Sequence, residues 1–287
     1  MRILVTGGTG MLGVDVVDAL AGHDVRAVGS AELDIRDAEA CMRAATDHGG
    51  APVDAIVNCA AYTRVDDAES DEGAAFALNA LGPANLAAAA RAVGAVLLQV
   101  STDYVFDGDA SAPYAEDAPV APVSAYGRTK AEGERLAREA NPDTIVVRTA
   151  WLYGAGGPSF PRTMLRLAGE RETLTVVDDQ RGQPTWTRDL AAQLRALLEA
   201  DVRSGVFHGT NEGQATWFDF ARAVFAEAGL DPERVRPTDS AGFVRPAPRP
   251  AWSVLGHDGW AAADMTPMRD WREALHDAFA RGEVTAA

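Results

Sequence analysis

Thr6-Gly7-Gly8-Thr9-Gly10-Met11-Leu12-Gly13 follows directly on the apolar, strand-like run Arg2-Ile3-Leu4-Val5. Glycines at 7, 10 and 13 give a G-x-x-G-x-x-G spacing between a predicted first strand at residues 3–6 and a predicted first helix at 11–21. Glycine permits the tight turn and lets the backbone approach a pyrophosphate, which a helix N-terminus then stabilises. The spacing is not the standard G-x-G-x-x-G of dinucleotide turns, so the signal lies in its strand–turn–helix setting. Gly7, Thr9, Gly10, Met11, Leu12 and Gly13 are the candidate cofactor contacts.

Outward from this turn, short β-branched runs alternate with longer alanine-rich stretches. Strands are predicted at 25–28, 55–58, 96–100 and 144–148, and helices at 38–48, 73–93 and 125–140. That alternation calls for an α/β fold with a doubly wound parallel sheet of Rossmann type. Beyond residue 150 the regularity weakens. Helices are expected at 160–169, 188–200, 217–228 and 268–281, strands at 174–177 and 206–207, and a Pro-rich loop at 237–250. The division expected is a dinucleotide-binding domain at 1–150, to which about 188–210 return, and a smaller C-terminal substrate-binding lobe at 151–287. Such a lobe would lie over the carboxyl ends of the strands, where open α/β sheets take their ligands.

A net charge of −16 over 287 residues argues against nucleic acid or an anionic membrane as partner, because long-range repulsion opposes both. No apolar run approaches the roughly 18 residues of a membrane span. Cys41 and Cys59 form no C-x-x-C pair and read as buried thiols of a reducing compartment. With a strand-like segment at residues 2–6 in place of a signal peptide, a cytoplasmic location is expected. Of the 26 basic residues only Lys130 is a lysine, in a chain that otherwise uses arginine.

That lysine closes Tyr126-Gly127-Arg128-Thr129-Lys130. On a helix, i and i+4 share a face, so Tyr126 and Lys130 point into one volume. An ordinary phenol is a poor proton donor at neutrality; a neighbouring ammonium favours the phenolate, so a depressed Tyr126 pKa is expected. Lysine's compact rotatable donors also suit a ribose hydroxyl better than arginine's planar fork. Ser101-Thr102-Asp103-Tyr104-Val105-Phe106 follows the apolar run 96–100 and sets the Thr102 hydroxyl at a strand's carboxyl end, in reach of a carbonyl that the tyrosine protonates. Thr102, Tyr126 and Lys130 are the candidate catalytic set.

The second strand ends in Val28-Gly29-Ser30 with no acid to hydrogen-bond a ribose 2′-hydroxyl, which leans toward NADPH and leaves NADH open. Glu32 and Asp34 follow soon after, and Asp34-Ile35 is a candidate flank for the adenine.

Beyond the short-chain dehydrogenase/reductase pattern, the chain resembles the dTDP-4-dehydrorhamnose reductase family. The stretches that carry the resemblance are Val57–Thr63, Val65–Glu69, Ser101–Phe106, Tyr126–Lys130, Arg148–Gly154, Asp178–Thr185 and Arg249-Pro250. It implies that Ala60, Ala61 and Tyr62 line the nicotinamide side, that Tyr104 and Trp151 contact the sugar, and that Arg249 sits near the nucleotide-sugar pocket. Asp103, between Thr102 and Tyr104, is included on the substrate side. The activity implied is NADPH-dependent reduction at C4 of a dTDP-4-keto-6-deoxyhexose, first of all dTDP-4-dehydro-L-rhamnose. Reductases of other nucleotide deoxysugars remain open, as do an epimerase or dehydratase and a non-catalytic NADP-binding subunit like the methionine adenosyltransferase β subunit. Dehydratases place Asp-Glu after the threonine; here Asp103-Tyr104 lacks that base. Some members form dimers bridged by Mg²⁺. Asp15 matches one such ligand, but Arg188 stands where another acid is expected, so no metal is predicted and a homodimer is left open.

Overall fold

Apolar, β-branched runs form the strands Arg2–Thr6 (β1), Asp24–Val28 (β2), Ala55–Asn58 (β3), Val96–Thr102 (β4), Thr144–Thr149 (β5), Leu174–Val177 (β6) and Gly205–His208 (β7) in the computed structural model, which describes residues 1–200 and 202–285. Six of them make one parallel sheet in the order β7-β5-β4-β3-β1-β2. Strand order reverses at β1, so the crevice between the carboxyl ends of β1 and β3 is the topological switch point where such sheets bind ligands.

Helices Met11–Ala19 (α1), Ala38–Thr46 (α2), Gly82–Val93 (α3), Ala125–Ala140 (α4), Phe160–Glu170 (α5), Thr187–Glu199 (α6), Trp217–Glu227 (α7) and Trp271–Ala280 (α8) cover the sheet and build the second lobe. One sheet face buries Ile3, Val5, Val57 and Leu98 against α1 and α6, with Trp260 closing its edge. The other buries Leu4, Ile56 and Leu97 beneath α2 and α3. A separate apolar cluster joins Tyr153, Trp186, Phe220, Phe225 and Trp271 in the C-terminal part. The return of β7 to the sheet beside β5 makes that part a lobe on the sheet rather than an independent bead.

Three local expectations are corrected. The helix predicted across 73–93 is broken: Glu72–Phe76 is followed by a π-turn at Ala77–Leu81 before α3 begins. Pro83 at the head of α3 has no N–H to continue an upstream ladder. In the π-turn Asn79 turns inward to the backbone of Tyr62, accepting from its N–H at 2.7 Å and donating to its carbonyl at 3.1 Å. Second, the Pro-rich loop is shorter than 237–250 because Val235–Thr238 (β8) pairs in parallel with β6, where edge position tolerates Pro237. Third, α1 and α2 stop two residues before the ends predicted at 21 and 48. Two-residue strands at Leu152–Tyr153 with Thr185–Trp186, and at Arg181–Gly182 with Ala215–Thr216, are too short to leave a periodic pattern. No helix among the described residues is long and apolar enough to cross a membrane.

Candidate active site

The glycine turn divides its labour. Gly7 has φ +68°, and a side chain there would sit 2.6 Å from the Ala60 nitrogen, so both conformation and space require glycine. At Gly13 a Cβ would collide with the Gly7 carbonyl, because α1 presses on the turn. Gly10 is different: it is the extended N-cap of α1 at φ −79°, and its nearest obstacle is the Gly7 oxygen at 3.3 Å. The protein's own packing therefore does not demand glycine at 10; the free space lies over the helix N-terminus. That terminus carries no side-chain cap and no acid in its first turn, so its N–H groups are available to an anion. These features fit a dinucleotide pyrophosphate. Thr9 is exposed, Met11 half-buried under the Gly156 backbone, and Leu12 buried in the core.

At the end of β2 the structure supplies what the sequence lacks. Glu32 folds back so that its carboxylate accepts the Gly29 N–H at 2.9 Å, and a Cβ at Gly29 would lie 3.1 Å from both Glu32 Oε2 and Thr9 Oγ1. Asp34 is taken up by the Arg36 guanidinium, which holds its carboxyl down at about 2. The Ile35 side chain is buried against Gly82, and its carbonyl accepts from Asn85 Nδ2 at 3.0 Å and from the Cys41 thiol.

Helix α4 carries Tyr126 and Lys130. Ser124 caps it on the Gly127 N–H at 3.1 Å, and Glu69 accepts the Ala125 N–H at 2.7 Å, which fixes the turn bearing Tyr126. Glycines at 127 and 133 let α4 approach the Tyr104 and Asn79 carbonyls more closely than any Cβ would allow. Tyr126 meets Tyr104 edge-to-face at 5.6 Å and faces the Thr102 hydroxyl. Lys130 Nζ donates to the Val100 carbonyl at 2.7 Å, which also accepts from Gln99 Nε2 at 2.7 Å. Gln99 Oε1 accepts from Asn58, whose Oδ1 accepts from Thr6, so a buried polar chain runs from the glycine turn to the lysine.

The expected depression of the Tyr126 pKa is reversed. Burial raises it, with the Thr102 hydroxyl opposing and Asp103 and Tyr104 adding to the rise. Lys130 is itself pushed down to about 8 by burial, against the pull of Glu134 and Cys59. Its ammonium is spent on the Val100 carbonyl, and desolvation dominates at the phenol. Behind it, Glu134 and Arg148 form a buried ion pair at 2.8 Å, with Ser101 donating to the same carboxylate. Cys59, beside Lys130, has its thiol pushed up to about 12 by burial.

On the substrate side, β5 pairs Thr149 with Thr102, and Trp151 follows two residues on. Trp151 has φ +47°, a conformation that a bulky residue holds only under constraint. Its ring lies between Gly182 and a parallel stack on Trp217 at 3.6 Å. Arg249 Nη2 reaches Asp66 at 2.9 Å, its guanidinium lies 5.9 Å over the Tyr104 ring, and its Nη1 is buried with no partner. Arg245 holds the other oxygen of Asp66 at 2.7 Å. Ala60 and Ala61 are half-buried after β3, next to Gly7 and to the Tyr62 backbone that Asn79 grips.

The family model described as the RmlD substrate binding domain matches residues 1–284. The chain belongs to the RmlD family of dTDP-4-dehydrorhamnose reductase-like oxidoreductases. It is 52% identical over 282 residues to a probable dTDP-4,6-dihydroxy-2-methyloxan-3-one 4-ketoreductase of Streptomyces antibioticus, covering 97% of this chain and 95% of that one. It is 51% identical over 285 residues to a dTDP-4-dehydrorhamnose reductase of Streptomyces griseus, covering 97% and 93%. Among solved structures, a dTDP-4-dehydrorhamnose reductase of Bacillus anthracis in complex with NADP superposes with TM-score 0.93 at 35% identity, over 98% of this chain and 99% of that one.

Within this RmlD chain the structure brings Thr102, Asp103, Tyr104 and Tyr126 into contact and places Lys130 one turn along the same helix. It ties Arg249 to the group through Tyr104. Sequence reading missed Asp66 and Arg245 as partners of Arg249, Trp217 as the support of Trp151, and Asn79 as the grip on Tyr62. Only Asp66 had a signal, inside the stretch Val65–Glu69. Near Asp15, Arg188 bridges Asp18 and Glu283 at 3.0 Å each, placing a cation among these acids.

Proposed function

We propose that this chain reduces the C4 keto group of a dTDP-4-keto-6-deoxyhexose, with dTDP-4-dehydro-L-rhamnose as substrate and dTDP-L-rhamnose as product. The observation that carries the reading is the buried Thr102–Tyr126 pair at the carboxyl end of β4, on the sheet that also presents the glycine turn. Residues 1–150, with about 188–210, would hold the dinucleotide, and 151–287 the sugar nucleotide. When bound, the reduced nicotinamide supplies a hydride. Tyr126 then gives its phenolic proton to the oxygen that becomes the C4 hydroxyl. Its raised pKa keeps that proton in place until a stronger base, the nascent alkoxide, appears. Lys130, held on the Val100 carbonyl, presents its remaining protons to the ribose hydroxyls. Ala60, Ala61 and Tyr62 border the nicotinamide, and Trp151, Tyr104 and Arg249 the sugar nucleotide.

For the cofactor we propose that both reduced nicotinamide dinucleotides serve. The NADP complex of the Bacillus anthracis relative supports the phosphorylated form. The Glu32 carboxylate at the end of β2 favours a free ribose 2′-hydroxyl and repels a 2′-phosphate.

The test is loss of reduced-nicotinamide absorbance with enzymatically made dTDP-4-keto-6-deoxyglucose, with and without a 3,5-epimerase. Oxidation only with the epimerase supports the L-rhamnose product. Oxidation without it keeps the reductase but assigns another deoxysugar, a reading favoured by the 52% identity to the Streptomyces antibioticus 4-ketoreductase. Tyr126→Phe should fold and bind dinucleotide while losing at least about a hundredfold in kcat, the scale of general acid catalysis; an active variant would refute the assignment.

A further inference from the structure

Thr102 has one hydroxyl proton, and in this structure it is committed. Its Oγ1 donates to Asp103 Oδ1 at 2.9 Å and accepts from the Tyr104 N–H at 3.2 Å. A threonine bonded in this way cannot also donate to a substrate carbonyl. The Tyr126 phenol, facing the same oxygen, finds an acceptor there for the proton it must deliver elsewhere. The partner that commits Thr102 is itself anomalous: Asp103 is buried at 3% exposure, and its Oδ2 has no hydrogen-bond partner. Its polar surroundings are hydroxyls and phenols, with the backbone N–H groups of Asp103 and Tyr104 beside them. The side chains are Thr102 on β4, Tyr104 on the following turn, Tyr126 on α4 and Ser253 from the C-terminal part, with the Arg249 guanidinium beyond the Tyr104 ring. An ionised carboxylate with an orphaned oxygen is costly in such a place, whereas a neutral carboxyl is at ease.

We propose that Asp103 is a positioning residue that works as a neutral carboxyl, its O–H donating to Thr102 so that the Thr102 proton turns to the substrate carbonyl. With Asp103 ionised, the hydrogen-bond direction reverses and both the Thr102 and Tyr126 protons point away from the reacting oxygen. The inference rests on the reductase reading above and adds to it a protonation switch one residue away from the reacting groups. Burial already lifts the Asp103 carboxyl to about 6 in the free protein, with the Ser253 and Thr102 hydroxyls opposing the rise. Covering the site with substrate removes more water and moves the titration higher.

Activity is full below the Asp103 titration and falls as pH rises through it, by about tenfold per pH unit for a one-proton step. The experiment measures kcat against pH for wild type and Asp103→Asn, whose amide N–H donates to Thr102 at every pH. Expected is a one-proton alkaline decline in wild type and a flat profile in the variant, which overtakes wild type at the alkaline end. A variant that keeps the decline, or that folds and binds dinucleotide yet is inactive throughout, overturns the inference. Ser253→Ala is the second variant, should the asparagine protein not fold. Loss of a hydroxyl that opposes the rise must shift the decline to higher pH, and an unmoved midpoint counts against the proposal. An infrared titration of the carboxyl band, wild type minus D103N, reads the proton without turnover. Should wild type reduce no keto-sugar, the functional reading fails by itself. The infrared midpoint then still decides Asp103, and a group already ionised at pH 5 overturns its role.

Discussion

Replacing Gly10 and Gly13 separately by alanine tests whether the turn is built for a ligand or only for itself. At Gly13 the added Cβ would overlap the Gly7 carbonyl oxygen and lie 2.8 Å from both Gly7 C and Gly8 Cα. These are backbone atoms of a turn wedged against Ala60, so relief requires moving α1 away from the sheet. Overpacking of this kind costs about 1–3 kcal/mol, and this site is at the upper end or beyond because no flexible side chain can yield. At Gly10 the only close atom is the Gly7 oxygen at 3.3 Å, and φ is −79°. Alanine there gains about 0.4–1 kcal/mol from a stiffer unfolded chain and gives much of it back as a poorer N-cap. The net change in stability is within about 1 kcal/mol of zero. Yet the methyl occupies the space above the helix N-terminus. Losing one or two charge-assisted hydrogen bonds to a pyrophosphate, at about 1.5–3 kcal/mol each, weakens dinucleotide binding by at least about tenfold. Urea unfolding gives the stabilities, and quenching of tryptophan fluorescence by NADPH gives the affinities. G13A should lose stability first and binding as a consequence; G10A should melt like wild type and bind poorly. A G10A protein with wild-type affinity would falsify the placement of the pyrophosphate.

Two further outcomes follow from named side chains. Glu32→Gln removes an exposed carboxylate from the end of β2; at about 1 kcal/mol for a solvent-screened charge, the NADPH:NADH affinity ratio should rise roughly fivefold. Isothermal titration with each cofactor checks it, and an unchanged ratio means the 2′-position lies elsewhere. His208 is fully buried, its imidazole pushed down to about 3 by burial and by Arg148. The unfolded chain therefore takes up a proton near pH 6.5 that the folded one refuses. Stability from this residue is complete above that pH and is lost on acidification at about 1.4 kcal/mol per unit, roughly 2 kcal/mol by pH 5. Urea midpoints at pH 7 and pH 5 should differ less in His208→Asn than in wild type, and equal differences would show that the imidazole charges in place.

Most of the first half was legible because parallel strands buried on both faces must be near-continuous apolar runs. Residues 55–58 have the predicted limits for that reason, and the helix 125–140 has its predicted limits with Ser124 capping its first turn. The π-turn at Ala77–Leu81 was not legible, since it arises from a tertiary demand: Asn79 must reach Tyr62 while Gly133 lets α4 approach its carbonyl. The sole lysine marked the helix of the candidate catalytic set, but composition says nothing about what its ammonium touches. The expectation of an acidified phenol failed because burial of both partners, a three-dimensional property, outweighs their i,i+4 spacing. Glu32 shows the same limit on a smaller scale. A four-residue loop after β2 can bring a carboxylate back to the strand end, so scanning only the strand's last residues misjudges the charge there.

An acidic protein that takes two anionic ligands must attract them at short range, and the proposed sites have donors suited to it. The long-range field of a chain with net charge −16 opposes both a dinucleotide and a sugar nucleotide, so recognition falls to donors that work within hydrogen-bonding distance. At the glycine turn these would be the uncharged backbone N–H groups of the α1 N-terminus, which carries no side-chain cap. At the opposite mouth Arg245 and Arg249 are held by the single carboxylate of Asp66, leaving Arg249 with a buried, unpartnered nitrogen. Two guanidinium groups against one carboxylate leave a local surplus of one positive charge, confined to the edge of the site beside Tyr104. The same economy governs the centre. Lys130 and Arg148 lie against the single carboxylate of Glu134, which is ion-paired with Arg148, and the Lys130 ammonium is turned to the Val100 carbonyl, so the groups that meet at Thr102 are hydroxyls and phenols. On the proposed reading, one proton on Asp103 sets the direction of the Thr102 and Tyr126 hydrogen bonds, which is why Asp103 rather than Lys130 is the group whose titration should govern the rate.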